Sequence, residues 1–79
     1  MDQLTELIDY IARALVDEPD EVRVDAVEGD RALIVELSVA QNDLGKVIGK
    51  DGRTARAMRT LLAATSARQR RRAVLDILE

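Results

Sequence analysis

The sequence predicts an α+β fold: a two-layer sandwich in the order αββααβ, with a three-stranded mixed sheet covered on one face by three helices. Three observations carry that expectation. Apolar residues recur every three or four positions over residues 4–15 and 55–65, the period of a helix with one buried face. They alternate with a period of two over residues 22–39, the pattern of strands. A tight turn joins the first two strands, whereas a long helical stretch separates the second from the third. A short turn makes an antiparallel pair, and a long crossover makes a parallel, right-handed one. The second strand therefore lies in the centre.

In the first helix Leu4, Leu7, Ile8, Ile11, Ala12 and Leu15 form the apolar stripe, and Asp2, Gln3, Glu6, Asp9 and Arg13 take the other side. Tyr10 falls beside the stripe and is read as a packing residue. Asp17-Glu18-Pro19-Asp20 stops the helix, because proline disfavours the helical conformation at Glu18 and breaks the ladder. Val22, Val24 and Ala26 alternate along the first strand. Glu28-Gly29-Asp30-Arg31 is the turn. Leu33, Val35, Leu37 and Val39 line one face of the second strand, with Ile34 on the other. Leu44, Val47 and Ile48 mark a short helix over residues 41–48. Gly49-Lys50-Asp51-Gly52 interrupts it. A longer helix runs from about Arg53 to Ala67, with Ala55, Met58, Leu61, Leu62 and Thr65 inward and Arg53, Arg56 and Arg59 outward. Arg70-Arg71-Arg72 closes a basic connection to the last strand, Ala73 to Leu78.

Composition narrows the function. Seventy-nine residues make one domain, over 1–79, and 47% hydrophobic residues suffice for its core. A chain of this size has a stability of a few to about 12 kcal/mol. Without cysteine or histidine there is no disulfide and no structural zinc site, and neither a metal nor a cofactor is expected. The amino terminus is acidic and amphipathic, unlike a signal peptide. No run approaches the ~18 apolar residues of a membrane span, so a cytoplasmic protein without membrane contact is expected. The net charge of −3 hides an asymmetry. Residues 1–43 hold three basic and twelve acidic residues, and residues 44–79 hold nine basic and three acidic ones. The basic half is a candidate polyanion-binding face.

Chemistry concentrates at Val47-Ile48-Gly49-Lys50-Asp51-Gly52-Arg53. Two helices meet at a four-residue turn with glycine at both ends. Glycine accepts the dihedral angles of a tight reversal and leaves the loop backbone N–H groups approachable. The second helix begins there, so its dipole and first-turn donors favour an anion. Lys50 at the tip and Arg53 in the first turn add two cations.

Ile48-Gly49-Lys50-Asp51-Gly52 within αββααβ resembles a KH domain of type II topology, closest to the small bacterial KhpA family. The resemblance covers essentially the whole chain, including Gly45-Lys46-Val47-Ile48-Gly49-Lys50 and Gly52-Arg53-Thr54-Ala55. It implies binding of single-stranded RNA: the GxxG backbone clamps about four nucleotides and an apolar groove takes the bases. Gly49, Lys50, Asp51 and Gly52 then form the clamp, with Ile48, Arg53 and Arg56 beside it. Arg70, Arg71 and Arg72 occupy the variable loop on the opposite wall, and Arg59 reads as solvated surface. Asp51 departs from what suits a phosphate. It is read as the cap of the second helix, weakening the clamp without abolishing it. The resemblance also implies self-association or pairing with a larger KH protein of the KhpB or Jag type. An RNA chaperone or adaptor acting on small, messenger or ribosomal RNA is the function this implies.

Other classes fit less well. Gly45 to Asp51 has three residues between its glycines where a P-loop has four, and lacks the magnesium-holding Ser or Thr. No titratable groups converge, so an enzyme is not expected. With a single aromatic residue, a stacking platform is excluded in favour of an aliphatic groove. The alternative is a protein-interaction or dimerisation module that docks on another KH protein or a ribosomal component.

Overall fold

Leu33, Val35 and Leu37 point to one side of the middle strand, and all three are buried. The rest of the chain is arranged around that side. The computed structural model describes residues 2–79. Helix α1 spans Gln3–Leu15 and is followed by strands β1 (Arg23–Glu28) and β2 (Leu33–Ser38). Helices α2 (Leu44–Ile48) and α3 (Arg53–Arg68) lead to strand β3 (Ala73–Ile77). The sheet order is β1-β2-β3, with β1 antiparallel and β3 parallel to β2. The expected fold class, element order and central second strand are all observed.

Three helices form one layer. Helix α1 lies over β1 and β2, α3 lies over β3, and α2 completes the layer against α1 and α3. Leu4, Ile8 and Ala12 of α1, Val47 of α2, and Met58 and Leu62 of α3 meet the β2 row in one core cluster. Among the described residues, the opposite face of the sheet carries no helix.

Caps fix the helix ends. Asp2 caps α1 by accepting from the Leu4 N–H at 2.6 Å. Thr5, which is polar, lies in the core because its hydroxyl donates to the Asp2 carbonyl at 2.8 Å. Ser66 is buried in the same way, its hydroxyl bonded to the Ala63 carbonyl at 3.1 Å. With their hydroxyls satisfied, Thr5 and Ser66 join the buried stripes of α1 and α3. Leu15 and Leu61, expected inward, are 39% and 50% exposed. Thr65 is only partly buried. Tyr10 is 75% exposed and does not serve as a packing residue.

One buried acid was not anticipated. Asp43 is 1% exposed and ends a 3₁₀ turn, Gln41–Asp43, just before α2. Its two carboxylate oxygens accept from the backbone N–H groups of Asp17 and Glu18 at 3.2 and 3.0 Å. Lys46 stands 3.5 Å from the same carboxylate and 3.2 Å from that of Asp17. This cluster ties the end of α1 to the start of α2. Burial pushes the Asp43 carboxyl up, but the two amides and Lys46 outweigh it and hold it below the usual carboxylate range.

Two stability predictions follow from the core and this tie. Leu37→Ala removes a fully buried side chain from the central strand and costs about 2–5 kcal/mol, measured by urea unfolding. Because the native pKa of Asp43 is depressed, its contribution is complete above the unfolded value of about 4 and is lost as pH falls through the native value. Asp43→Ala therefore lowers the urea midpoint at neutral pH, and the gap to wild type narrows as pH is lowered from about 4. A constant gap across that range contradicts the assignment.

Candidate functional site

Helices α2 and α3 are joined by residues 49–52, and the backbone there is unusual. Gly49 has φ 77° and ψ 169°, Asp51 has φ 57°, and Gly52 has φ 74°. Lys50–Gly52 form one 3₁₀ turn between the two helices. The glycines meet different constraints. A Cβ on Gly49 would come within 2.7 Å of the Thr54 Cβ and 2.8 Å of the Thr54 backbone nitrogen. A Cβ on Gly52 would meet nothing, so only its backbone angle is restrictive.

The amides of both glycines are used inside the turn. Gly49 N–H donates to the Gly45 carbonyl at 2.8 Å, and Gly52 N–H to the Gly49 carbonyl at 3.1 Å. Of the loop backbone N–H groups expected to be approachable, those of Gly49 and Gly52 are engaged within the turn. Asp51 also departs from expectation. Gly52 holds the N-cap position of α3, and no side chain accepts a bond there. Asp51 instead adopts the left-handed backbone, which Asp tolerates better than most L residues because its short carboxylate bonds locally. The positive end of α3 is left without a side-chain cap.

The predicted cations gather unevenly. Lys50, Asp51, Arg53 and Arg56 are exposed around the turn, and Ile48 is partly buried at the end of α2. The Arg56 guanidinium reaches the Asp51 carbonyl only at 3.5 Å. Beyond the turn, a cleft of about 590 Å³ runs between α3 and β3. Leu62, Ala63 and Ala67 supply its floor and one wall, Val74 and Leu75 the other, and Arg59, Arg71 and Arg72 edge it. From the sequence, Arg59 is expected on the solvated face. The spacing i, i+3 rotates each step by about 60° relative to a full turn, so two steps from Arg53 swing Arg59 round to the cleft. That rotation is readable from the sequence.

The three arginines before β3 have different roles. Arg71 bonds Asp2 at 3.2 Å and Glu28 at 2.9 Å, so its charge is already engaged. Arg70 has φ 56° and is exposed, at the reversal from α3 toward β3. Arg72 is exposed at the mouth of the cleft. Among the described residues, Lys50, Arg53, Arg56, Arg59, Arg70 and Arg72 have no acidic partner, whereas Lys46 and Arg71 are neutralised by acids of the first half. The described residues contain no group of acids suited to a metal ion, and no helix is long and apolar enough to cross a membrane.

This arrangement matches known proteins along nearly the whole chain. Residues 5–77 match the KH domain of KhpA and KhpB. The chain belongs to the KhpA/KhpB KH-domain family. A relative from Borreliella burgdorferi named RNA-binding protein KhpA is 51% identical, covering 94% of this chain and 90% of the relative. A relative of the same name from Aquifex aeolicus is 47% identical over the full length of both chains. Among solved structures, an Era variant from Aquifex aeolicus, crystallised with GDP and aluminium fluoride, superposes with a TM-score of 0.64 at 22% identity. It covers 94% of this chain, which in turn spans 29% of Era, and that likeness concerns the fold alone. The turn at residues 49–52 precedes α3, and the cleft lies further along that helix, from Arg59 onward.

The unequal surroundings of the two glycines can be measured. Gly52→Ala costs about 1–2 kcal/mol, the penalty of a left-handed L residue. Gly49→Ala adds a clash with Thr54 and loses more. Urea midpoints in the order wild type, Gly52→Ala, Gly49→Ala are expected, and a reversed order of the variants contradicts the packing.

Proposed function

We propose that residues 1–79 act as one KH unit that binds single-stranded RNA, with phosphates at the 49–52 turn and bases in the cleft between α3 and β3. The observation that carries this is the uncapped start of α3, preceded by an exposed lysine, with an arginine-edged cleft further along the same helix from Arg59 onward. A phosphate placed there meets the positive end of a 16-residue helix and the unpaired charges of Lys50 and Arg53. The aliphatic cleft accommodates bases by packing, without aromatic stacking. The relatives named for RNA binding support the same partner.

Within this proposal the roles divide. Gly49 and Gly52 shape the turn, and Lys50, Arg53 and Arg56 attract phosphate. Arg59 and Arg72 flank the bases. Arg71 braces the cleft wall through Asp2 and Glu28. Asp51 weakens phosphate binding by its charge. One clamp reads few bases, so affinity is on the order of micromolar and broad in sequence. Such binding suits a cytoplasmic RNA chaperone or adaptor, and pairing with a larger KH protein of the KhpB type would add avidity.

The test is Lys50→Asp, with RNA binding followed by fluorescence anisotropy on short single strands. Binding falls at least tenfold while the circular dichroism stays unchanged. For wild type, about three phosphate contacts give a slope near −2 for log K against log salt. Unaltered affinity in Lys50→Asp would sink the clamp. An absence of RNA binding by wild type at low salt would sink the function.

A further inference from the structure

Two loops meet at the far end of α3 from the 49–52 turn. One is the hairpin tip between β1 and β2, closed by the Gly29 N–H, which donates to the Ala32 carbonyl at 2.9 Å. The other carries the chain from α3 into β3. Leu33 N–H donates to the Arg72 carbonyl at 2.9 Å, and the Arg71 guanidinium holds Glu28, at the end of β1, at 2.9 Å. The two loops are thereby stitched into one rim around a depression of about 310 Å³.

Three arginines on that rim do no stitching with their side chains. Arg31, Arg70 and Arg72 line the depression and are exposed. Among the described residues none of them makes an ion pair. Two acids line it as well, but Glu28 is already bound to Arg71, which leaves Asp30 alone against three cations. Like charges gathered in this way repel one another, and an anion relieves them.

The backbone of Arg70 adds to the case. Its φ is 56°, its N–H donates to the Ala67 carbonyl at 3.1 Å, and the Arg71 N–H donates to the Ser66 carbonyl at 3.1 Å. This bonding ends α3 on a left-handed residue, a position where glycine is usual and an L residue is strained. A cation at the carboxyl end of a helix recovers part of that cost. The helix end does not account for Arg31, which comes from the hairpin.

Arg72 lines both this depression and the cleft between α3 and β3. The unpaired cations therefore form one series. It runs from Lys50 through Arg53, Arg56 and Arg59 along α3 to Arg72, and on to Arg31 and Arg70. The 16 residues of α3 put its ends about 24 Å apart. Stacked nucleotides rise about 3.4 Å each, so about four held at the turn reach roughly half that distance.

From this series we infer that Arg31, Arg70 and Arg72 form a second phosphate subsite, which holds the continuation of the RNA strand bound at residues 49–52. The inference rests on the RNA reading proposed above and extends it to a longer ligand, of about eight nucleotides or more. Phosphate contacts carry no sequence information. The subsite therefore sets a length requirement and leaves base preference unchanged. Arg31 belongs to the acidic half of the sequence, and only the fold brings it to Arg70 and Arg72.

Fluorescence anisotropy on single-stranded RNA of about four and about twelve nucleotides tests this, with circular dichroism confirming that each variant is folded. For wild type the slope of log K against log salt steepens from near −2 on the short strand to near −4 on the long one, about 0.7 for each of three added phosphates. The greater number of registers on a longer strand does not alter that slope. Arg31→Glu binds the short strand within about twofold of wild type but the long strand about tenfold more weakly, with a slope of about −3 or shallower. Arg70→Gly suits the left-handed backbone, so its urea midpoint does not fall, yet it weakens the long strand about fivefold. Equal wild-type slopes on both lengths overturn the subsite, as does an Arg31→Glu variant that binds the long strand like wild type or loses both lengths equally. Each of those results leaves the turn standing. The turn fails separately, if Lys50→Asp binds the short strand as wild type does, and wild type that binds neither length removes both.

Discussion

The close approach of Gly49 to Thr54 is the constraint on which the helical layer depends. No side chain fits between them, and the chain must pass through a positive φ to turn from α2 into α3. With that reversal in place, Val47 of α2 and Met58 of α3 reach the same core. The reversal also leaves the start of α3 without a side-chain cap. Packing and the proposed binding site thus share one geometric cause. The Asp43 carboxylate supports the arrangement from the other end of α2, where it holds the chain leaving α1.

Periodicity made much of the architecture legible. The alternation of Leu33, Val35 and Leu37 identified the central strand, and the stop expected at Asp17-Glu18-Pro19-Asp20 lies just beyond the observed end of the first helix at Leu15. What was missed has a common origin in polar groups that find partners far away or within one turn. Asp43 reads as a surface acid until the amides of Asp17 and Glu18, more than twenty residues earlier, are brought to it. Thr5 and Ser66 are polar in composition but bond to the adjacent turn of helix, so each is buried beside the apolar residues of its stripe. Asp51 was misjudged for a different reason. A cap and a left-handed residue both favour Asp, and only the backbone angle separates them.

The candidate site was legible where chemistry is local and obscure where it depends on pairing. Gly49, Lys50 and Gly52 stand out because spacing alone defines a turn. Arg71 looked equivalent to Arg70 and Arg72 in a run of three, yet Asp2 and Glu28 neutralise it from opposite parts of the chain. The division between an acidic and a basic half survives folding as a division of labour. Acids of the first half restrain Lys46 and Arg71, which hold the structure together. The cations around residues 49–59 remain unopposed.

The parallel pairing of β2 with β3 has a consequence for how the chain is made. β2 is complete at Ser38, but its second neighbour begins only at Ala73. Until residues 73–77 leave the ribosome, the central strand presents one row of unpaired backbone groups beside Leu33, Val35 and Leu37. Sheet edges of that kind invite pairing with other chains. The intervening helices are long enough to shelter the apolar side of the strand, but they cannot satisfy its edge. Closure of a sheet across such a separation is slower than helix formation. A nascent or truncated chain ending before Ala73 would therefore be prone to aggregation, with its own hairpin as the template.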